Sequence, residues 1–247
     1  MTEQRKRIAL ISVSDTAGLQ DLATGLRKHG VCILSTGETA GALHDFGIEF
    51  EEVGSYTGFP EMMGGRVKTL HPKVHGGILY LRGDAAHKAA AKENGIVPID
   101  FVVVNLYPFW RMAERKDVAL SRVVEEIDIG GSALLRAAAK NYESVTVLSN
   151  PRQYLPVLKL LGKGGRTVPR NVRARLALEA FKHTADYDRQ ISDWFATQLL
   201  FPPLDQLSLE QLKQLPRGQF EFAVACGENL STQAEEQLIK GAAAREQ

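Results

Sequence analysis

The segment Gly64–Gly77, GGRVKTLHPKVHGG, sets Arg66, Lys68, His71, Lys73 and His75 between two pairs of glycines. Cations in a glycine-flanked loop can hold an anion and move protons. A solvated basic loop would explain the charges but not the glycines. A metal site from His71 and His75 is disfavoured: Pro72 argues against a helix that would align the two rings, and no Cys, Asp or Glu stands nearby to complete a ligand set. A second constellation, Asp128-Ile129-Gly130-Gly131-Ser132, opens a helix. Asp128 is either its N-cap, or a site carboxylate beside glycines whose N–H groups approach a developing oxyanion. Lys140, near the end of that helix, is by itself a lysine favoured by the helix dipole. Three polar turns complete the candidates: Ser12-Val13-Ser14-Asp15, Ser35-Thr36-Gly37 and Asn105-Leu106-Tyr107-Pro108. Hydroxyls and N–H groups at helix starts cradle phosphate. Plain N-capping by Ser14 and Thr36 is the simpler reading of two of them.

These turns must be positioned by strands. Arg7–Val13, Val31–Leu34, Phe101–Val104 and Val145–Leu148 read as short buried strands, with a weaker one at Ile48–Val53. Helical spacing follows at Leu19, Leu22 and Leu26, stopped by Gly30, then at Thr39–Phe46, Ala85–Asn94, Val118–Ile127, Ala133–Lys140, Gln153–Leu161 and Val168–Leu199. Alternating strands and helices predict βαβ units, hence an α/β domain with a parallel sheet. In such sheets ligands bind outside the carboxyl ends of the strands, where all three turns fall. Gly54–Gly77 interrupts the rhythm as a long glycine-rich loop, which in a compact domain points to function. After Phe201-Pro202-Pro203 the chain becomes more polar, with a short helix near Ser208–Gln214, a strand-like Phe220–Val224 and a helical tail.

The 247 residues carry 30 Lys+Arg against 29 Asp+Glu, a net charge of +1, which argues against broad binding to nucleic acid or anionic membrane. The most apolar stretch, Ile96–Trp110, is interrupted by Asp100 and Asn105 and is too short to span a bilayer. Two distant cysteines, Cys32 and Cys226, suggest no disulfide framework, and the polar start shows no secretory signal, so the expected location is cytoplasmic. There is no G-x-x-x-x-G-K-[ST], G-x-G-x-x-G or G-x-S-x-G, which argues against P-loop, dinucleotide and α/β-hydrolase chemistry.

ISVSD, LSTGET, GGRVKTLHPKVHGGIL, VVVNLYPF, DIGGSALLRAAAKN and AFKHTADYD stand in the order and spacing of the IMP cyclohydrolase domain. This is the N-terminal half of the bifunctional AICAR transformylase/IMP cyclohydrolase of purine biosynthesis. The resemblance covers about residues 7–200. It implies a methylglyoxal-synthase-like, doubly wound parallel sheet flanked by helices in residues 1–200, and a mostly helical extension, a remnant of the transformylase junction, in 201–247. It also implies a cyclic amidine-forming hydrolase that closes FAICAR to IMP and water without metal or other cofactor. The partners it implies are the purine nucleotide substrate, a second copy in a homodimer and, with the transformylase domain missing, a separate transformylase. Carried over by position, Ser12, Ser14, Ser35, Thr36, Gly37, Arg66 and Thr69 hold the nucleotide, chiefly its phosphate. Asn105 contacts the base, and Ile129, Gly130 and Gly131 surround the base and intermediate. Lys68 and Tyr107 manage proton transfer, with Asp128 and Lys140 in the same catalytic network.

Two departures qualify this resemblance. The family pattern S-V-S-D-K-T-G reads here with Thr16 in place of its lysine, which implies weaker phosphate binding. The family's R-Y-G-E-N-P-H-Q junction reads Ala225–Gln233, ACGENLSTQ, with Pro-His lost, which implies no formyl transfer. They motivate an alternative, a catalytically silent purine-nucleotide-binding module that regulates or scaffolds a transformylase. A methylglyoxal synthase, which shares the fold, does not match the long motifs.

Overall fold

A computed structural model describes residues 6–115, 117–162, 167–198 and 207–214. Cys226, the break at Phe201–Pro203, the strand-like Phe220–Val224 and the junction motif Ala225–Gln233 lie outside these residues. The chain divides into two compact units, Met1–Asp188 and Arg189–Gln247, whereas the composition places the change after residue 200.

The first unit is built on five strands, β1 (Arg7–Val13), β2 (Val31–Ser35), β3 (Glu51–Glu52), β4 (Phe101–Asn105) and β5 (Thr146–Leu148). They form one parallel sheet in the order β3-β2-β1-β4-β5. Ala9, Leu10 and Ile11 of β1 and every residue of β4 are buried. This is why these strands read as continuous apolar runs: helices cover both faces of a parallel sheet. Helix α1 (Leu19–Lys28) packs on β2, and α2 (Gly37–Asp45) contacts β1. The order reverses between β1 and β4, which opens a crevice at their carboxyl ends.

The structure departs from the sequence reading at several element boundaries. Helix α1 is not started by Ser14, Asp15 or Thr16: its N-cap is Gly18, in the left-handed region, and the Asp15 carboxylate turns back to accept from Ala17 N–H at 2.9 Å. Strand β3 is cut to two residues because Val53 already begins α3 (Val53–Thr57). The Gly54–Gly77 segment is not a loop throughout. It contains most of α3, a 3₁₀ turn at Met63–Gly65 and the start of α4 (Pro72–Leu79). Pro72 starts that helix rather than preventing it, because a first-position proline has no N–H to lose, and the His71 ring caps it by accepting from Lys73 N–H at 3.1 Å.

Between β3 and β5 run α5 (Ala85–Glu93), α6 (Phe109–Ala113), α7 (Leu120–Glu125) and α8 (Ile129–Lys140). Helix α6 was not anticipated, α7 is shorter than expected, and α8 takes both glycines of the DIGGS turn into its first turn. Helix α8 packs on β4, β5 and α4. Helices α9 (Tyr154–Gly162) and α10 (Arg170–Gln198) follow; α10 continues into the second unit, where α11 (Leu209–Gln214) buries Leu212.

One buried amide ties the C-terminal ends of α8 and α4 together. Asn141 Nδ2, just after α8, donates to the carbonyls of Ile78 (2.6 Å) and Tyr80 (3.2 Å) at the end of α4. Removing it leaves terminal carbonyls without that partner. Asn141→Ala is expected to lower unfolding free energy by about 1–3 kcal/mol, read from the guanidinium midpoint at constant m-value; an unchanged midpoint would show the clamp to be dispensable.

Candidate active site

The carboxyl ends of β1 and β4 are joined by one side chain. Asn105 Oδ1 accepts from the N–H groups of Ser14 (2.7 Å) and Asp15 (2.8 Å), while its Nδ2 donates to Asp15 O (3.0 Å). The Ser14 hydroxyl lies 3.0 Å from both Asn105 Oδ1 and Leu106 O. Beneath this turn the Thr39 hydroxyl of α2 accepts from Val13 N–H (2.8 Å) and donates to Val13 O (3.0 Å). The backbone of the first turn is thereby held open, with Ser12, Ser14, Thr36 and Gly37 along one wall of a cleft of about 660 Å³.

The glycine-rich segment supplies a second wall. Met62 and Val67 pair as an antiparallel bridge, and the hairpin between them carries Met63, Gly64 and Gly65 at positive φ. A Cβ on Gly65 would lie 2.6 Å from Lys68 Cε, so the glycine makes room for the lysine stem. Lys68 Nζ stands 3.2 Å from Glu61 Oε1 and close to Gly37 at the start of α2. Arg66 forms a two-pronged ion pair with Glu125 of α7, with Nε to Oε1 at 3.0 Å. This pairing draws the Glu125 carboxyl below its usual range.

The third wall is the N-terminus of α8. Asp128 Oδ1 accepts from Gly131 N–H at 2.6 Å, so the residue is indeed the N-cap. It also lines the cleft, so the two readings of Asp128 are compatible in space. A Cβ on Gly131 would lie 2.3 Å from Asp128 Oδ2, which explains the glycine there. Burial pushes the Asp128 carboxyl above its ordinary pKa, and the Gly131 N–H partly opposes this. The Thr69 hydroxyl abuts Gly130, closing the gap between the basic segment and α8. Tyr187 of α10 accepts from Asp128 N–H at 2.8 Å and packs edge-on against Phe109; burial drives its own pKa up to about 12.

Two family matches divide the chain. The MGS-like domain matches residues 18–133, and the AICARFT/IMPCHase bienzyme matches residues 138–240. The bifunctional purine biosynthesis protein PurH of Synechococcus sp. (strain CC9605) is 50% identical over 211 residues, 85% of this chain and 41% of that protein. The PurH of Magnetococcus marinus is 50% identical over 188 residues, 76% of this chain and 35% of that protein. The crystal structure of ForH superposes with a TM-score of 0.69 at 39% identity, covering 77% of this chain and 99% of ForH. The chain belongs to the AICARFT/IMPCHase family. It spans about two-fifths of the length of the PurH protein from strain CC9605.

In this family member the cleft gathers Ser12, Ser14, Thr36, Gly37, Arg66, Lys68, Thr69, Asn105, Tyr107, Asp128, Ile129, Gly130 and Gly131. Two expected residues do not join them. Ser35 is fully buried and donates to Ile11 O at 2.9 Å, so it braces β1 against β2. Lys140 is exposed at the other end of α8, about 16 Å along the helix axis from Ile129. Asn105 lines the cleft, but its amide is engaged with the first turn rather than presented to a ligand. Thr16 is exposed and outside the lining. The basic run is likewise dispersed: Arg66, Lys68 and Thr69 face the cleft, while His71, Lys73 and His75 belong to the start of α4. The sequence reading missed Thr39, Glu61, Glu125 and Tyr187. Glu61 and Glu125 gave no local signal, because their partners lie across the cleft or hairpin; Tyr187 stood within AFKHTADYD.

Because the folded chain raises the Asp128 pKa, it holds that proton more tightly than the unfolded chain. Stability therefore falls as pH rises from the ordinary aspartate value of about 3.9 through the raised one. Asp128→Asn keeps a capping oxygen and removes this loss. Relative to wild type it is expected to gain stability as pH rises above about 4, followed by denaturant unfolding at each pH; parallel pH profiles would refute the burial effect.

Proposed function

We propose that this chain is an IMP cyclohydrolase, closing the imidazole carboxamide ribonucleotide FAICAR to IMP and water. The observation that carries the reading is the convergence of Lys68, Tyr107, Asp128 and the α8 N-terminus on one cleft at the sheet's switch point. A cleft of about 660 Å³ suits a mononucleotide. The names of the PurH relatives and of the bienzyme family support the same substrate class.

The chemistry asks for positioning and charge control. The carboxamide nitrogen attacks the formyl carbon, its N–H proton is removed, and the formyl oxygen becomes a hydroxyl. Loss of that hydroxyl with a second nitrogen proton releases water and completes the ring. An amide nitrogen is a weak nucleophile, so holding it in attack geometry supplies much of the rate. Lys68 and Tyr107 are assigned the proton transfers. The oxyanion is assigned to the N–H groups of Ile129 and Gly130, because that of Gly131 is already engaged by Asp128. Thr36 and Gly37 at the start of α2, with Arg66, are assigned the phosphate. Asn105 is reassigned from the base to positioning, and Lys140 is left without a role in this cleft. These 247 residues are proposed to suffice for ring closure and to carry no formyl transfer.

Purified protein mixed with FAICAR should form IMP, followed by absorbance, and should transfer no formyl group from 10-formyltetrahydrofolate. Lys68→Ala and Tyr107→Phe should each lower kcat by about 10²–10⁴-fold. Wild-type rates in both variants would overturn the proton-transfer assignment. Tight IMP binding by an inactive wild type would favour the silent binding module.

A further inference from the structure

At the opposite end of the sheet, a second cavity of about 250 Å³ lies where β1, β4 and β5 begin. It is lined by Arg7, Arg82 and Arg173 with Asp100, and by the hydroxyl residues Ser144, Thr146 and Thr167. Among the described lining residues three arginines stand with one carboxylate, Asp100. Glu143, next to Ser144, is held by Arg170, with Nε to Oε2 at 2.9 Å.

The guanidinium groups are held in place by the fold. Arg82 donates to Asp100 Oδ1 and Ile99 O, both at 2.6 Å. Asp100 in turn ties the two strands together by accepting from Ile8 N–H at 3.1 Å. Arg173 donates to Tyr142 O (2.7 Å), Glu143 O (2.8 Å) and Val168 O, and Arg7 donates to His29 O. A guanidinium has five N–H groups, so these contacts orient Arg82 and Arg173 without exhausting their donors. The Arg82 Nε–H is buried with no partner among the described residues, which is uncommon for a charged donor. Burial lowers the Arg173 pKa; Glu143 opposes this, while Arg82 and Arg170 add to it, so Arg82 and Arg173 are close enough to repel one another.

We propose that this cavity is a binding site for a phosphate-sized oxyanion, separate from the nucleotide cleft. An oxyanion would accept from the remaining terminal N–H groups of Arg82 and Arg173, offset the repulsion between them and meet the hydroxyls on the cavity wall. The donors are already oriented, so little side-chain ordering opposes binding. The volume is below the range of roughly 300–1,000 Å³ typical for organic ligands, which selects inorganic phosphate or the phosphate end of a larger molecule. The proposal does not rest on the cyclohydrolase reading.

The test is an NMR titration of the full chain with inorganic phosphate, and separately with a nucleoside monophosphate, each at constant ionic strength against chloride. The resonances to follow are Arg82 Nε–Hε and the Thr146 backbone N–H. A saturable shift at both with inorganic phosphate identifies the free ion. The same shift with the nucleotide alone identifies a phosphate end as the source; either result supports the site. Arg82→Lys keeps a charge but loses the fork and should weaken binding at least about tenfold. Thr146→Val, which leaves the Arg82–Asp100 pair intact, should weaken it about fivefold and keeps the test decisive if the arginine variant does not fold. Shifts confined to cleft residues such as Ser14 and Gly130, or an equal effect of chloride, would overturn the proposal.

Discussion

The candidate active site depends on how the Asn105 side chain joins the ends of β1 and β4. At a switch point two adjacent parallel strands send their connections in opposite directions, so nothing in the strand pairing itself fixes the loops that follow. Asn105 Oδ1 accepts from two successive N–H groups of the β1 turn, and Nδ2 returns a bond to Asp15 O. One amide thus replaces the ladder contacts that the turn cannot make. The crevice walls inherit their spacing from this link. Ser12 comes from the end of β1, Ser14 from the turn after it, Thr36 and Gly37 from the start of α2, and Tyr107 from the loop that leaves β4.

Both cations of the cleft lining, Arg66 and Lys68, are paired before any ligand arrives. Lys68 stands beside Glu61, and Arg66 is paired with Glu125. Exposed pairs of this kind contribute little to stability, so their consequence is positional: each cation is held at the cleft wall by a carboxylate. The α8 N-terminus is held similarly from two sides. Asp128 caps it from within, and Tyr187 accepts the Asp128 N–H from α10. Because Asp128 caps through Gly131, the donors left at the helix start are those of Ile129 and Gly130. An ordinary capping interaction thus decides which two N–H groups remain at the helix start.

The expected strands at β1, β2, β4 and β5 were legible because parallel strands buried on both faces must be apolar throughout. The reading weakened where backbone conformation, rather than burial, decided the outcome. Pro72 was read as a helix breaker, yet at the first helical position its missing N–H costs nothing. Gly130 and Gly131 fall before the expected helix Ala133–Lys140, yet a capped first turn accepts glycine, and at Gly131 the Asp128 carboxylate leaves no room for a larger residue. The weak Ile48–Val53 strand shrank to two residues because the chain at Val53 already turns into a helix.

Residue types and spacing alone identified the α/β class, the three polar turns and the two glycine-bearing constellations, because these follow from local periodicity and from what each side chain can donate or accept. Family resemblance added the expected roles. Only the tertiary structure separated the residues that meet from those that do not. It buried Ser35 between strands, carried Lys140 to the far end of its helix, turned Asn105 inward and brought Glu61, Glu125 and Tyr187 to bear on the site. These outcomes depend on contacts between segments distant in sequence. The partner of a charged or polar group is chosen by the packing of whole elements, and no local pattern encodes that choice.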